Sequence, residues 1–245
     1  TGEDTLSLHD ALPILNPIVE GFSRAKADTL YKSDFDKILP ILIHGDASVA
    51  GQGIVYEVLQ MSNLKGYYTG GTIHFVINNQ IGFTTDFDDA RSSDYCTSVA
   101  AMVKAPVLHV NGDDPEAVVK AVEIATRYRQ EFNSDIFIDM VCYRRYGHNE
   151  SDEPKFTQPT LYNKIANHLN PREIYNQILV EKGDVDVVKN DKGEYEYGRV
   201  PAWHEALAKG INDSKQSLVD AMDIYTTKEA DLPQKMKEIR ERKQM

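Results

Sequence analysis

The sequence predicts an α/β fold in which a parallel sheet is flanked by helices, with a helical C-terminal extension. Ile38 to Ile43 is a continuous apolar run ending just before a glycine turn, which is typical of a strand buried on both faces. Strand-like and helix-like stretches then alternate up to residue 142 with short connections. Such alternation indicates parallel strands joined by right-handed crossovers.

The remaining elements follow from periodicity and end signals. Apolar residues at helical spacing predict a helix within 54–61, and the β-branched stretch 72–77 predicts the second strand. The third strand is predicted at 107–110. Asp114 and Pro115 then supply an N-cap acid and a proline at the first helical position of a helix that extends to Phe132. Residues 136–142 form the fourth predicted strand.

Beyond residue 142 the pattern changes. We predict a polar loop at 143–159, helices at 160–168 and 172–182, a linker or hairpin at 183–199, and charged helices at 202–245.

Composition excludes several classes of function. With 27 basic and 38 acidic residues the net charge is −11, which disfavours non-specific nucleic-acid binding. No apolar run is long enough to span a membrane, and the N-terminus lacks a signal-peptide pattern. The two cysteines, Cys96 and Cys142, are far apart. They predict reduced thiols in a bacterial cytoplasm or a compartment like the mitochondrial matrix.

Two short motifs follow the first two predicted strands, about thirty residues apart. They are Gly45-Asp46-Ala47, which contains a carboxylate, and Asn78-Asn79. Because the carboxyl ends of parallel strands form one crevice, a carboxylate and a carboxamide there suit a hard cation that carries a diphosphate. Taken singly, Asp46 could merely cap a helix and Asn78-Asn79 form a turn; together they favour a cofactor site.

This pair resembles the thiamine diphosphate signature, in which Gly-Asp-Gly is followed by Asn-Asn, with Ala47 in place of the second glycine. Further blocks resemble the E1 component of the 2-oxoglutarate dehydrogenase complex more than the pyruvate E1 α-subunit or transketolase. These blocks are 44–47, 50–53, 78–85, 90–93, 113–118 and 143–159.

The resemblance implies a thiamin diphosphate-binding fold and a set of site residues. Asp46, Asn79 and the carbonyl of Ile81 would hold Mg²⁺ against thiamine diphosphate. Gly45, Ala47 and Gln80 would line the cofactor. His148 would contact the diphosphate and serve as a catalytic residue at the entrance to the active site.

The implied activity is oxidative decarboxylation of 2-oxoglutarate, with transfer of the acyl group to lipoyl groups of the E2 dihydrolipoyl succinyltransferase. The implied assembly is a homodimer. Two alternatives stay open: action on 2-oxoadipate, or a half-site module that binds thiamine diphosphate and Mg²⁺ without turnover. A nucleotide-binding dehydrogenase is disfavoured because no G-x-G-x-x-G opens the first helix.

The ends depart from the family pattern. We therefore expect a non-family segment at 1–14, the cofactor-binding domain at 15–183, and a linker with a charged helical segment at 184–245. The family places its activating glutamate on a second α/β domain, which we do not find in 184–245. We expect an incomplete reading frame that is inactive alone.

Other polar residues have local interpretations. We expect Arg91-Ser92-Ser93, which follows the metal loop, to order it through hydrogen bonds from side chains to the backbone. Arg144 and Arg145 either contribute positive charge near the diphosphate or form ion pairs with nearby acidic side chains. Three strand histidines, His44, His74 and His109, are interpreted as core residues with satisfied hydrogen bonds.

Overall fold

The computed structural model describes residues 12–183 and two short strands at 187–189 and 195–197. The chain divides into two compact units after Tyr175. The strands are β1 (Ile41–Gly45), β2 (Ile73–Asn78), β3 (Ile81–Gly82), β4 (Thr85–Asp86), β5 (Val107–Asn111), β6 (Ile136–Val141), β7 (Val187–Lys189) and β8 (Tyr195–Tyr197). The α-helices are α1 (Asn16–Tyr31), α2 (Asp46–Gly51), α3 (Gly53–Met61), α4 (Phe87–Ala90), α5 (Pro115–Phe132), α6 (Pro159–Ala166) and α7 (Pro171–Lys182).

The first unit is built on a four-stranded sheet in the order β1-β2-β6-β5, and every pair of neighbours in it is parallel. The prediction of a parallel sheet flanked by helices is therefore confirmed. Its carboxyl edge carries the ends of β1 and β2, where Gly45 lies in register with Ile77. The residues that follow these two strands consequently meet at one edge.

Helices cover the sheet on two faces. On one face, Val49, Leu59 and Val76 form a buried cluster with Phe137 and the 3₁₀ segment Cys96–Val103. On the other face, α5 packs Ala121 and Ala125 against β2 and β6. The Asp114 carboxylate caps α5 by accepting a hydrogen bond from the Ala117 N–H at 3.0 Å, as its sequence predicts.

The prediction that the first strand is buried on both faces is wrong. Leu42 and His44 are buried, whereas Ile41 and Ile43 are 51% and 48% exposed. The physical reason is position: β1 is the edge strand of the sheet, and α5 packs across β2, β5 and β6. An apolar run alone cannot distinguish an edge strand from a central one.

The later elements agree with the prediction where the structure describes them. The two predicted helices after the polar loop correspond to α6 and α7. Within 183–199, β7 and β8 pair antiparallel, which favours the hairpin over the linker. The predicted helices at 202–245, and the segment 1–11, lie outside the described residues. No helix in the described part of the chain is long and apolar enough to cross a membrane.

Candidate functional site

Asp46 is the first residue of α2 and follows β1 directly. Its side chain is buried, with 2% of the residue exposed, and its Oδ2 lies 3.5 Å from Arg91 Nη1. Burial raises the pKa of Asp46 to about 6, while the Arg91 guanidinium opposes that rise. Within the described residues Oδ1 has no hydrogen-bond partner. A buried carboxylate oxygen without a partner is costly, so a bound cation fits this position.

The turn after β2 presents the other predicted ligands. The Asn79 Oδ1 accepts a hydrogen bond from the Ile81 N–H at 3.3 Å. Gln80 adopts a left-handed backbone, with φ of 65°, which is unusual for a residue other than glycine. Its Nε2 donates to the Cys142 carbonyl at 2.8 Å, so the turn is tied to the end of β6. The turn is therefore held in a conformation that its sequence would not favour alone.

Ala47 and Gly82 join the turn to the start of α2. A Cβ added at Gly82 would lie 2.7 Å from the Cβ of Ala47, closer than two carbon atoms can approach without a shift. The Ala47 methyl group therefore packs directly against the Gly82 backbone. This contact places Gly45, Asp46 and Ala47 beside Asn79, Gln80 and Ile81 at the carboxyl edge of the sheet.

His148 reaches the same region through the loop after β6. Its ring meets the edge of Phe83 with the ring centroids 4.9 Å apart. Its backbone N–H donates to Asp152 Oδ2 at 2.8 Å, and Arg144 Nη2 donates to the Phe83 carbonyl at 2.8 Å. Gly147 has no room for a side chain, because a Cβ there would overlap Asp152. The half-buried His148 is thus positioned by a well-defined loop.

The arginines differ partly from their predicted roles. Arg91 lies against the Asp46 carboxylate, which the sequence interpretation did not anticipate. Arg144 lies 4.0 Å from Asp152 Oδ2, and its Nε donates to the Tyr162 hydroxyl. Arg144 therefore supports the loop, in agreement with the pairing alternative, and Arg145 is exposed.

The histidines do not all behave as satisfied core residues. His44 and His74 are buried, but His74 Nε2 has no hydrogen-bond partner among the described residues. His109 has a side chain that is 41% exposed, and its Nδ1 lies 2.9 Å from Asp139 Oδ2. Sequence reasoning missed Asp139 altogether. The available signal was a carboxylate inside an apolar strand, since such a residue is almost never buried without a partner.

The donor set suits magnesium only when a ligand adds further oxygens. In the described part of the chain, no three His, Cys, Asp or Glu side chains gather as a metal site. Asp46 is a single carboxylate, and Asn79 and the Ile81 carbonyl are neutral. Since Mg²⁺ requires six oxygens and commonly takes some from substrate phosphates, a diphosphate would complete the set.

Comparison with known proteins identifies the family. Residues 5–202 match the family described as the dehydrogenase E1 component. The chain belongs to this family. Its resemblance to 2-oxoglutarate dehydrogenase E1 components, inferred from the motifs, is confirmed by similar proteins that bear that name.

Three similar proteins illustrate the resemblance. The 2-oxoglutarate dehydrogenase E1 component of Azotobacter vinelandii is 54% identical over 71% of this chain and 19% of its own length. The corresponding protein of Brucella suis is 49% identical over 77% of this chain and 21% of its length. The multifunctional 2-oxoglutarate metabolism enzyme of Mycolicibacterium vanbaalenii is 49% identical over 76% of this chain and 15% of its own length. The chain thus spans about a fifth of the length of these relatives.

Proposed function

We propose that this chain supplies the diphosphate- and magnesium-binding part of a thiamine diphosphate-dependent 2-oxoglutarate dehydrogenase E1 component. The observation that carries the proposal is the buried Asp46, whose Oδ1 has no hydrogen-bond partner among the described residues. It lies beside the Asn79–Ile81 turn at the carboxyl edge of the sheet. Membership of the E1 family and the names of the relatives support the choice of cofactor and substrate.

Each site residue has a stated role in this proposal. Asp46, Asn79 and the Ile81 carbonyl hold Mg²⁺, while Gly45, Ala47 and Gln80 shape the backbone around the diphosphate. His148 donates a hydrogen bond to the diphosphate from the loop after β6. When bound, the cofactor supplies the electron sink that decarboxylation of a 2-oxo acid requires.

The whole protein in this proposal is a homodimer that decarboxylates 2-oxoglutarate and passes the acyl group to the lipoyl groups of an E2 dihydrolipoyl succinyltransferase. The bacterial relatives support a cytoplasmic location.

Calorimetric titration with thiamine diphosphate and Mg²⁺ tests the proposal. The wild-type chain should release or absorb heat on binding, and Asp46→Asn should abolish that signal because it removes the ligand charge. NAD should give no signal.

Asp86→Asn is the matched control, because Asp86 is an acidic residue at the start of a helix, as Asp46 is, but lies outside the proposed donor set. Its carboxylate accepts hydrogen bonds from the Asp88 and Asp89 N–H groups, and asparagine caps a helix as well as aspartate does. Binding by Asp46→Asn that equals wild-type binding would refute the metal assignment.

A further inference from the structure

Asp139 is a fully buried carboxylate on β6, with no measurable exposure. Its Oδ1 accepts a hydrogen bond from Asn78 Nδ2 at 3.0 Å, and its Oδ2 lies 2.9 Å from His109 Nδ1. A buried charge is costly unless it is paired and hydrogen-bonded. Both oxygens of Asp139 meet that condition through these two side chains, and the Cys96 thiol adds a longer contact to Oδ1 at 3.9 Å.

An ionised carboxylate only accepts hydrogen bonds, so it dictates the orientation of both partners. The Asn78 amide must direct its Nδ2 toward Asp139, which turns its Oδ1 away. His109 must carry its proton on Nδ1. The Asn78 Oδ1 is buried and has no hydrogen-bond donor within the described residues, so no contact on that side helps Asp139 to orient the amide.

Asn78 immediately precedes the predicted ligand Asn79 and is the last residue of β2. Its carbonyl accepts a hydrogen bond from the Cys142 N–H at 2.8 Å, and Gln80 Nε2 donates to the Cys142 carbonyl. The end of β2 is therefore fastened to β6 by its backbone, by the Asn78 amide, and by Gln80. Among these contacts, Asp139 contributes the carboxylate that holds the Asn78 amide.

We propose that Asp139 is a positioning residue for the metal site, acting through Asn78 and held in turn by His109. It contacts neither the metal nor the diphosphate. By fixing the Asn78 amide it fixes the strand end from which Asn79 and the Ile81 carbonyl project. This inference rests on the proposed function, because it assumes that those groups bind a cation.

Asp135 offers a matched comparison just before the same strand. It is also buried, at 6% exposure, accepts a hydrogen bond from the Thr72 N–H at 2.8 Å, and lies 3.7 Å from His74 Nε2. It faces the opposite edge of the sheet, at the start of β2. Asp135 and Asp139 thus share burial and a histidine neighbour, and they differ in their proximity to the metal site.

The test compares Mn²⁺ binding in the presence of thiamine diphosphate for wild type, Asp139→Asn and Asp135→Asn, followed by electron paramagnetic resonance. Asp139→Asn should weaken Mn²⁺ binding by about 10- to 100-fold, the usual effect of changing a group that orients a metal ligand. Asp135→Asn should bind Mn²⁺ as wild type does, whatever its effect on unfolding. The ¹⁵N shifts of His109 should also change in Asp139→Asn, because an amide can donate to Nδ1.

Asn78→Ala provides a second variant that keeps the Asp139–His109 pair and should weaken Mn²⁺ binding similarly. Wild-type affinity in folded Asp139→Asn or Asn78→Ala would overturn the inference, and so would an equal loss in Asp135→Asn. Failure of the wild-type chain to bind Mn²⁺ with thiamine diphosphate would instead overturn the proposed function, and this inference with it.

Discussion

Arg129 on α5 is a fully buried arginine whose acceptors, among the described residues, are backbone carbonyls and its neighbour Gln130. The carbonyls belong to Gly71, Phe35, Ile38 and Thr69. Arg129→Met would fill the space but remove the arginine donor from these carbonyls, of which Phe35 keeps the Ile38 N–H at 3.3 Å. Since each buried polar group left unpaired costs roughly 1–3 kcal/mol, we expect the free energy of unfolding to fall by about 3 kcal/mol or more, measured by urea denaturation.

Arg127→Met is the control for this prediction. Arg127 lies two residues earlier on the same helix and is exposed, so its replacement should change the free energy of unfolding by less than about 0.5 kcal/mol. Equal effects of the two substitutions would show that the buried hydrogen bonds of Arg129 contribute little.

Glu20 on α1 predicts a pH dependence of stability. Its carboxylate accepts hydrogen bonds from the hydroxyls of Thr69 and Thr72, both at 2.8 Å. Burial raises the pKa of Glu20 above its usual 4.5, although the two hydroxyls oppose the shift. The folded state therefore binds this proton more tightly than the unfolded state, and the contribution of Glu20 to stability falls as pH rises from the unfolded to the folded pKa.

Glu20→Gln removes this titration and keeps a side chain that can bond both hydroxyls. The melting temperature of wild type relative to the variant should decline above pH 4.5 and level off once Glu20 is ionised. Exposed Glu57 on α3 provides a control, since Glu57→Gln should leave the melting temperature nearly unchanged. Parallel melting curves for wild type and Glu20→Gln across this range would contradict the assignment.

At the scale of elements, the contact between α2 and the turn after β2 depends on the pair Ala47 and Gly82. Gly82→Ala should destabilise the chain and weaken cofactor binding, because its Cβ would lie 2.7 Å from that of Ala47. Ala47→Gly removes the methyl group that this added Cβ would meet. The double variant Ala47→Gly, Gly82→Ala should therefore recover much of the loss in a thermal unfolding experiment. Additive losses in the double variant would show that the two positions do not share this contact.

The sequence predicts elements well where periodicity and end signals coincide. For α5, Asp114 and Pro115 mark the start, and the apolar spacing selects Ala121 and Ala125, which are buried; it also selects Phe132, which is 59% exposed. The sequence is less informative where contacts between distant parts of the chain determine which residues form an element and which are buried. α1 escaped prediction although its buried residues, Asn16, Ser23 and Ala27, form part of the fold, because small and polar residues carry little apolar signal. The edge position of β1 could not be predicted either, since it depends on which strands pair in the sheet.

The candidate site likewise contains residues that local sequence patterns indicate and residues that they do not. Asp46 and Asn79 could be selected because they follow two neighbouring predicted strands, whereas Gln80 and the Ile81 carbonyl were implied by the family resemblance. The support around them could not be selected, because it comes from distant parts of the chain. Arg91 reaches Asp46 from the segment after α4, and Asp139 reaches Asn78 from β6. Neither contact has a local sequence pattern.

At the scale of the whole first unit, the residues on which the stability predictions rest and the proposed binding residues lie at opposite ends of the strands. Arg129, Glu20 and Asp135 lie around the amino-terminal ends of β2 and β6, whereas Asp46 and Asp139 lie toward the carboxyl ends. Substitutions at sites far apart with no shared partner usually act independently. A destabilising change at the amino-terminal ends should therefore leave cofactor affinity intact wherever the chain remains folded.

The acidic charge of the chain predicts a joint requirement for metal and cofactor. With a net charge of −11 and a buried carboxylate at the site, a free diphosphate meets like charge, while Mg²⁺ alone finds too few oxygens. Thiamine diphosphate and Mg²⁺ together should raise the melting temperature, since a ligand at 100 times its Kd stabilises by about 2.7 kcal/mol. Thiamine diphosphate with EDTA, or Mg²⁺ alone, should give no shift in differential scanning fluorimetry. A full shift with EDTA present would mean that the diphosphate binds without a cation and that Asp46 has another role.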